Sequence, residues 1–465
     1  PTPSLITLAS TMSYTRQKIA IIGSGISGLG SAYLLADHHD VTVFEADKRL
    51  GGHSNTVEID VDGQRFGVDT GFLVFNERTY PKLCRLFGHL KVPVVQSEMS
   101  FSVQIGNPDL EWSGTDLSSV FAQRRNLLRP AFWSMLLDTL RFNRCATRDL
   151  DNPETATLSL GEYLDQEGYS APFRTNYLLP MAAAIWSCPT AQMLAYPFQT
   201  FARFCHNHGL LQITDRPTWM TVQGGSRNYV RMLADAVTAR GGKIENQCGA
   251  LYVTRETEGV TIQTHRGPER FDHVVFACHS DQALALLGEN ATTEERVNLE
   301  KIRYQANRAI LHSDASLLPK RKKVWSAWNY ASPGGRMSDG RTTPPVAVSY
   351  LLNRLQPLPV QTPVIVSLNP WREPDHRFVY REINYAHPVF DGPAIEAQKA
   401  INGFSGQNRT SFAGAWLGYG FHEDGFASAV RAAGRLAPIP DWLLGAQPTL
   451  CTTHLNDAVS EAVSA

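Results

Sequence analysis

Residues 18–46 read KIAIIGSGISGLGSAYLLADHHDVTVFEA, and this stretch decides the fold. A short apolar run rich in isoleucine ends at the glycine-rich segment 23–28, and a second run, 41–44, ends at Glu45. An apolar stretch of helical length lies between the two runs. This order predicts a strand, a tight turn, a helix and a second strand.

The three glycines of the turn each have a mechanical task. Gly23 allows the tight turn, Gly25 lets the backbone approach a pyrophosphate, and Gly28 lets the helix pack against the strand. The helix N-terminus presents free N–H groups and a positive dipole end to the phosphates. Glu45 follows about twenty residues later, where it can accept hydrogen bonds from ribose hydroxyls. The stretch therefore predicts a dinucleotide site, without distinguishing NAD from FAD.

Length and composition limit the remaining possibilities. With 465 residues the chain is too long for one ordinary core, so two domains are expected. Apolar residues make up 43% and charged residues 19%, as in soluble globular proteins. The formal net charge is −1, so the basic field that is typical of nucleic-acid binders is missing.

Cysteine usage and hydropathy indicate a cytoplasmic protein. The 7 cysteines are scattered and form no CxxC pair, which is typical of reduced thiols. No apolar run reaches the length of about eighteen residues that spans a membrane. We interpret 1–11 as an extension before a start at Met12, because it lacks the basic beginning of a signal peptide. His206 and His208 have no acid or cysteine cluster of known spacing, so no metal is predicted.

A second motif follows Glu45. The paired glycines Gly51 and Gly52 come first, and a hairpin pattern then leads to DTGF at 69–72. Here the chain resembles the flavin-containing amine oxidase and phytoene desaturase superfamily. It is more closely similar to bacterial FAD-dependent oxidoreductases associated with cyclopropane fatty-acid synthases. This resemblance extends over 19–433, through phrases such as DTGFLVFNERTYP, YLLPMAAAIWS, NYAHPVFD and GYGFHEDG.

The resemblance implies FAD as cofactor. We expect it to be bound non-covalently, because no cysteine lies at an obvious attachment position near the C-terminal flavin segment. The residues predicted to bind FAD are Gly23, Ser24, Gly25, Ile26, Ser27, Gly28, Glu45, Ala46, Gly51, Gly52, His53, Thr70, Gly71, Phe72, Ala250, Ala277, Gly414, Asp424, Gly425 and Phe426.

The C-terminal part of this set rests on a predicted helix. A helix that opens beside Asp424 and Gly425 would direct its N–H groups at the N1/C2 carbonyl edge of the flavin. That position stabilises negative charge on the reduced ring. The alternative is an ordinary capped surface helix.

The fold class predicted is α/β, with a discontinuous Rossmann-type FAD-binding domain and a mixed α+β substrate domain. The predicted boundaries are 16–109, 221–289 and 404–436 for the FAD-binding domain, 110–220 and 290–403 for the substrate domain, and 1–15 and 437–465 for terminal extensions.

The expected catalytic residues are His422, Arg308 and Tyr419. Amine oxidases that resemble this chain hold a lysine near the flavin N5, and Arg308 aligns nearest to it. Arginine does not deprotonate in proteins, so it cannot replace a neutral lysine. Ala415 and Trp416 replace the expected acid, and Gly425 falls near an expected aromatic-cage tyrosine. His422 could exchange protons near neutral pH or simply fix a loop.

The segment 121–148 is basic and amphipathic. Its arginines are Arg124, Arg125, Arg129, Arg141, Arg144 and Arg148. Such a segment can lie on an anionic membrane surface, or it can be an ordinary solvated face. Peripheral contact with the inner face of a membrane is therefore one of our expectations.

These features predict an FAD-dependent oxidoreductase that transfers hydride between the flavin and an apolar substrate, a fatty-acyl or lipid chain. One alternative is an amine oxidase with an altered pocket. Another is a flavin-bearing partner of a lipid methyltransferase.

Overall fold

The structure is a computed structural model, and it describes residues 15–107, 109–186, 190–212, 216–334, 347–446, 450 and 452–453. Residues 1–14 of the predicted N-terminal extension 1–15, and residues 454–465 of the predicted C-terminal extension, lie outside these ranges. The described part of that extension packs on the protein, since Leu443 and Leu450 are buried in its core.

The β-strands of the described residues are β1 (Lys18–Ile22), β2 (Asp40–Phe44), β3 (Thr56–Val61), β4 (Gln64–Asp69), β5 (Phe75–Asn76), β6 (Val94–Ser97), β7 (Phe101–Ile105), β8 (Leu110–Ser113), β9 (Trp219–Val222), β10 (Lys243–Glu245), β11 (Tyr252–Glu256), β12 (Gly259–Thr264), β13 (Gly267–Phe271), β14 (His273–Phe276), β15 (Tyr304–His312), β16 (Trp328–Ser332), β17 (Ala347–Leu351), β18 (Ile365–Leu368), β19 (Val379–Pro388), β20 (Thr410–Phe412) and β21 (Thr452–Thr453).

The α-helices are α1 (Ile26–Leu35), α2 (Pro81–Leu90), α3 (Leu117–Val120), α4 (Pro130–Arg148), α5 (Leu160–Gln166), α6 (Ala171–Phe173), α7 (Leu179–Trp186), α8 (Thr190–Leu194), α9 (Phe198–Asn207), α10 (Arg227–Ala239), α11 (Ser280–Leu287), α12 (Thr293–Lys301), α13 (Leu352–Leu355), α14 (Gly392–Phe404), α15 (His422–Ala433) and α16 (Asp441–Leu444).

A parallel sheet in the order β10-β2-β1-β14-β20 forms the nucleotide-binding half. Its strands are apolar on both faces because helices cover each face of the sheet. Ile19 and Ile21 pack towards α1, α10 and α15, while Ala20 and Ile22 pack towards α11, α12 and α14. The sheet draws strands from three separate parts of the chain, so the predicted α/β class and the discontinuous Rossmann-type domain are confirmed.

The carboxyl ends of these strands meet at one edge of the sheet. Gly23, Glu45, Ala277 and Gly414 follow β1, β2, β14 and β20 there. In open α/β sheets the ligand crevice lies outside this edge. The glycine-rich turn depends on its sequence: Gly23 has a φ of +102°, and a Cβ on Gly28 would lie 1.9 Å from the carbonyl oxygen of Gly23.

A mixed sheet in the order β19-β15-β18-β17-β16-β7-β8 forms the centre of the second half. β7 pairs with β16 in parallel and with β8 in antiparallel fashion. The predicted boundary at residue 109 therefore falls between two strands that hydrogen-bond to each other. The chain enters this sheet at Phe101, before the predicted boundary.

A helical layer with an aromatic core lies beside this sheet. α4 to α9 bury rings against one another, among them Tyr163 and Phe198, whose stacked centroids are 3.6 Å apart. A π-helical turn, Arg174–Leu178, joins α6 to α7. None of the helices described is both long and apolar enough to cross a membrane.

Candidate active site

One large cavity, of about 1330 Å³, lies between the carboxyl edge of the parallel sheet, the mixed sheet and the helical layer. Every residue predicted to bind FAD lines it except Gly28, Asp424, Gly425 and Phe426. The predicted catalytic residues His422 and Tyr419 also line it, and Arg308 does not.

The nucleotide end of the cavity is formed around the start of α1. Gly25 is the N-cap of this ten-residue helix and provides no side-chain hydrogen bond, so the first N–H groups are left for a ligand. A Cβ built on Gly25 meets no atom within 4 Å, because this side of the residue faces open space. The carboxylate of Glu45 accepts hydrogen bonds from the Ser24 amide, 2.9 Å, and the Ser24 hydroxyl, 2.6 Å.

This arrangement fits FAD. An uncapped helix N-terminus suits a pyrophosphate, and a carboxylate at the end of the second strand suits ribose hydroxyls. The turn at Gly51 and Gly52, with φ of +107° and +57°, lies against Gly25. A Cβ on Gly51 would lie 2.9 Å from a methyl group of Val230, so this turn also requires glycine.

The C-terminal helix differs from the prediction. α15 begins at His422 rather than beside Asp424 and Gly425. Asp424 accepts a hydrogen bond from the amide of Phe421, 3.0 Å, so this carboxylate caps its own helix instead of contacting the cavity. Burial raises the pKa of Asp424 to about 7.

Gly425 and Phe426 are packing residues. The carbonyl of Gly425 accepts a hydrogen bond from the Ser27 hydroxyl, 3.0 Å, and a Cβ on Gly425 would lie 2.8 Å from a methyl group of Ile26. Phe426 is fully buried against Gly30. They therefore hold α15 against α1 and do not line the cavity.

The structure also places Arg308, predicted to be catalytic, away from the cavity. Its guanidinium forms ion pairs with Glu373 and Glu382, both at 2.7 Å, on the outer face of the mixed sheet. Because alternate residues of a strand point to opposite faces, its neighbour Asn307 has the inward position. Asn307 is buried and its amide lies 3.0 Å from Nδ1 of His387, which lines the cavity.

A group of histidines and tyrosines forms the cavity wall beside the paired-glycine turn. The ring of His53 lies 4.9 Å from that of Tyr385, 5.5 Å from that of His387 and 6.2 Å from that of His279. Nε2 of His53 is buried and has no hydrogen-bond partner among the described residues. Burial lowers the pKa of His53 well below its usual value and the pKa of His387 to about 4.

The sequence did not indicate His279 or its stacking partner Tyr304, whose ring centroids are 4.3 Å apart. His279 lies just beyond β14, which ends at Phe276. In the sequence, a polar aromatic residue just after the carboxyl end of a parallel strand could have indicated this site.

His422 is held at the opposite side of the same turn. Its Nε2 lies 2.8 Å from the hydroxyl of Ser54 and 3.0 Å from that of Tyr229, and burial lowers its pKa to about 3. The neutral imidazole is therefore fixed by two hydroxyls, which favours a positioning role. Tyr419 lines the far part of the cavity, where its ring lies 5.6 Å from that of Phe204.

The far part of the cavity is apolar. Its lining includes Phe101, Trp112, Val120, Leu136, Tyr177, Met181, Ile185, Trp186, Phe204, Trp328, Tyr350 and Phe390. Apart from histidines, the charged residues of the whole described lining are Glu45, Glu98 and Arg216. Glu98 is neutralised by Arg354 at 2.7 Å, and Arg216 is exposed.

Comparison with known proteins agrees with this architecture. The family model described as flavin containing amine oxidoreductase matches residues 26–437. The chain belongs to this family. Its members are flavoenzymes, so the chain is an FAD-dependent oxidoreductase, and the predicted cofactor is confirmed.

Curated relatives of the family match only a short part of the chain. An L-amino-acid oxidase of Mus musculus is 33% identical over 85 residues, which is 18% of this chain and 14% of that protein. An L-amino-acid oxidase of Bothrops pauloensis is 39% identical over 71 residues, or 15% of this chain and 14% of that protein. The matched part thus spans about a seventh of these relatives.

Solved structures of the flavin amine oxidoreductase type match nearly the whole chain in fold. Cyclohexylamine oxidase from Brevibacterium oxydans has a TM-score of 0.62 at 15% identity, covering 91% of this chain and 99% of that one. A putative protoporphyrinogen oxidase from Exiguobacterium has a TM-score of 0.61 at 15% identity, covering 90% and 98%. A fatty acid isomerase from P. acnes has a TM-score of 0.61 at 14% identity, covering 89% and 97%. At these identities the likeness shows the fold alone.

Proposed function

We propose that this flavin oxidoreductase transfers hydride between FAD and an apolar chain, the acyl chain of a fatty acid or lipid. The observation that carries the proposal is the uncharged, aromatic and aliphatic wall of the cavity beyond its nucleotide end. That wall matches hydrocarbon, for which burial is favourable at about 25 cal/mol per Å² of apolar surface.

The electrostatics of the cavity support an uncharged reacting group. Burial lowers the pKa of all five lining histidines, His53, His208, His279, His387 and His422, so they are neutral near pH 7. The carboxylate of Glu98 is already paired with Arg354. An ammonium group bound at the apolar wall would lose its hydration without gaining a free carboxylate as partner, which is costly. The cation Arg216 is at the exposed margin of the lining.

The cavity is also large enough to hold FAD and a substrate together. Pockets for single small ligands are typically about 300–1,000 Å³. The cavity of about 1330 Å³ exceeds this range. The nucleotide end fits FAD, and the space beyond it leaves room for an extended chain.

Bound FAD supplies an acceptor or donor of hydride. Oxidation of the chain to an alkene would remove a hydride and a proton from adjacent carbons, and the lining residues would orient those carbons and accept the proton. The proton would pass to the histidine wall of the cavity, in which Nε2 of His53 is a ring nitrogen without a hydrogen-bond partner among the described residues. Asn307 and Tyr385 hold the surrounding rings in place.

The comparisons support the substrate class through the fold only. One of the matched structures is named as a fatty acid isomerase, so a chain of this architecture is associated with acyl substrates. Amine oxidation in an altered pocket is the second candidate, favoured by the family match and by the L-amino-acid oxidase relatives. A lipid methyltransferase partner stays a prediction from the sequence.

Product analysis in air distinguishes the candidates. Purified holoenzyme is incubated separately with detergent-dispersed phospholipids, with putrescine, with cyclohexylamine and with L-leucine. We expect a change of two hydrogen atoms in the acyl chains and no hydrogen peroxide release with the amines. Peroxide release with an amine, and unaltered acyl chains, would overturn the proposal.

A further inference from the structure

We propose that residues 117–148, together with the basic turn 320–323, form a membrane-docking face that rests on an anionic bilayer beside the mouth of the cavity. The docking itself is independent of the proposed function. The passage of an acyl chain from the bilayer into the cavity, in contrast, rests on the proposed function.

Apolar side chains are concentrated on this face. Of the twelve large hydrophobic side chains that the described residues expose, six lie between 117 and 140. They are Leu117, Leu127, Leu128, Trp133, Leu137 and Leu140, and we call them the apolar patch. Leu128 is 88% exposed, Leu117 78% and Leu137 63%, which is far more than packing of the domain requires.

The helix α4 joins the apolar patch to the cavity. Residues on a helix are spaced by about 100°, so its side chains form stripes. Leu136, Thr139 and Asn143 form the stripe that lines the cavity. Trp133, Leu137 and Leu140 form the adjoining exposed stripe.

The short helix α3 makes the same connection from the other side. Val120 lines the cavity, and Leu117 on the same helix is exposed in the apolar patch. The helices α3 and α4 thus each carry exposed apolar side chains of the patch beside side chains that line the cavity.

Cations surround the apolar patch. Arg124 and Arg144 are exposed, and neither forms an ion pair within the described part of the chain. Lys320, Lys322 and Lys323 are exposed on a turn that contacts α3. This turn is fixed because the Lys320 amide and the Arg321 guanidinium both bind the buried carboxylate of Glu111, at 2.8 and 2.7 Å.

Two of the arginines on this face are already paired with acids. Arg141 and Arg148 are engaged by Asp138 and Asp149, at 3.0 and 2.7 Å, so they contribute little net positive charge. The remaining acids of the face are also occupied: Asp109 pairs with Arg125, and Asp116 caps α3. The free charge of this face is therefore positive.

This combination favours a bilayer over a protein partner. Leucines and a tryptophan that project from a rim of free lysines and arginines match the interfacial region of an anionic membrane. A second copy of the chain would bring the same positive charge to the contact. The cavity-lining side chains Val120 and Leu136 are on the same helices as the apolar patch, so a hydrocarbon chain held by the patch lies next to the cavity wall.

Vesicle co-sedimentation of the holoenzyme tests the proposal. Vesicles of phosphatidylglycerol mixed with phosphatidylcholine are compared with vesicles of phosphatidylcholine alone. We expect binding to the anionic vesicles that weakens as salt is raised. The double variant Leu128→Glu/Leu137→Glu should lose at least tenfold in binding, and Arg124→Gln/Arg144→Gln should lose binding to anionic vesicles selectively.

Leu444→Glu is the matched control, because Leu444 is 72% exposed on α16, outside the docking face. It should bind vesicles as the unaltered protein does. Equal losses in the control and the double variant would overturn the proposal, as would no binding to anionic vesicles. A dimer in solution that Leu128→Glu/Leu137→Glu converts to monomers would assign the face to a second copy instead.

The outcomes for docking and for function can be separated on one preparation. Vesicle binding is measured without turnover, and flavin reduction is measured with detergent-dispersed lipid. Reduction without vesicle binding overturns the docking face and leaves the proposed function intact. Vesicle binding in the absence of both reduction of the oxidised flavin and reoxidation of the reduced flavin by lipid supports the docking face and contradicts the function.

Discussion

The ring of His422 stacks on the ring of Phe72, with centroids 3.7 Å apart and planes inclined by 14°. Phe72 ends the DTGF segment and His422 begins α15, so this pair joins the second flavin motif to the C-terminal helix. The imidazole also contacts the hydroxyls of Ser54 and Tyr229. Four separate parts of the chain therefore meet on one side of the cavity.

Replacing this imidazole should loosen the site. In His422→Leu, the Ser54 and Tyr229 hydroxyls lose a buried hydrogen-bond partner, which costs about 1–3 kcal/mol of unfolding free energy. Denaturant unfolding of the holoenzyme measures it, and Tyr229→Phe, which keeps the stacked pair, is the comparison. A His422→Leu protein with unchanged stability would show that the contacts do not support the fold.

The glycines of the turn should separate folding from cofactor binding. Gly25→Ala places a methyl group in open space, so the fold should persist while FAD affinity falls at least tenfold, about 1.4 kcal/mol. Gly28→Ala forces a carbon to within 1.9 Å of the Gly23 oxygen, so the turn itself must shift. Thermal unfolding with excess FAD tests this: FAD should restore Gly25→Ala and fail to restore Gly28→Ala.

The two neighbours on β15 should behave oppositely. Arg308→Ala removes exposed ion pairs, which are worth about 0–1 kcal/mol each, and should leave turnover unchanged. Asn307→Ala removes the partner of His387 and should lower kcat. Steady-state kinetics of both variants check this, and a large loss of turnover in Arg308→Ala would restore the sequence-based assignment.

Acidification should destabilise the protein through His208. Burial lowers the pKa of His208 from 6.5 to about 4, so between these pH values the unfolded chain binds a proton that the folded chain does not. The unfolding free energy contributed by this residue therefore falls as pH decreases from about 6.5 to about 4. In His208→Gln the loss of stability from pH 7 to pH 4 should be smaller than in the unaltered protein. The exposed His376→Gln should show no such change, and equal slopes in all three proteins would refute the assignment.

A charge in the apolar wall should act on the substrate alone. Ile185 lines the cavity and is partly buried, so Ile185→Asp brings a carboxylate to the predicted chain-binding surface. We expect KM for an acyl substrate to rise at least tenfold with FAD content unchanged, whereas Ile185→Val should differ little. An unaltered KM would place the substrate elsewhere.

The nucleotide half was predictable because its signals are local. Gly23, Gly25, Gly28 and Glu45 lie within one βαβ unit, and each has a role that its own backbone dictates. The pattern also predicted β14 as a buried apolar strand, whereas the discontinuity of the domain was implied by the family resemblance.

The histidine wall was less predictable because its members are far apart in the chain. His53 lies in the turn before β3, His279 follows β14 and His387 lies within β19, so only tertiary packing brings their rings together. Arg308 illustrates a different difficulty, because a shift of one residue along a strand exchanges its inner and outer faces. Asp424 illustrates a third difficulty. An acid near a helix start can cap that helix from the third helical residue as well as from the N-cap position before the helix.

The transfer of hydride between FAD and an acyl chain is tested most directly by anaerobic mixing. Holoenzyme is mixed with detergent-dispersed acyl phospholipid while the visible absorbance of the flavin is followed, and the chains are then analysed by mass spectrometry. We expect that oxidised flavin is bleached, or that dithionite-reduced flavin is reoxidised, with two hydrogen atoms exchanged per flavin. A flavin that responds to amines or amino acids and not to any acyl lipid would contradict it.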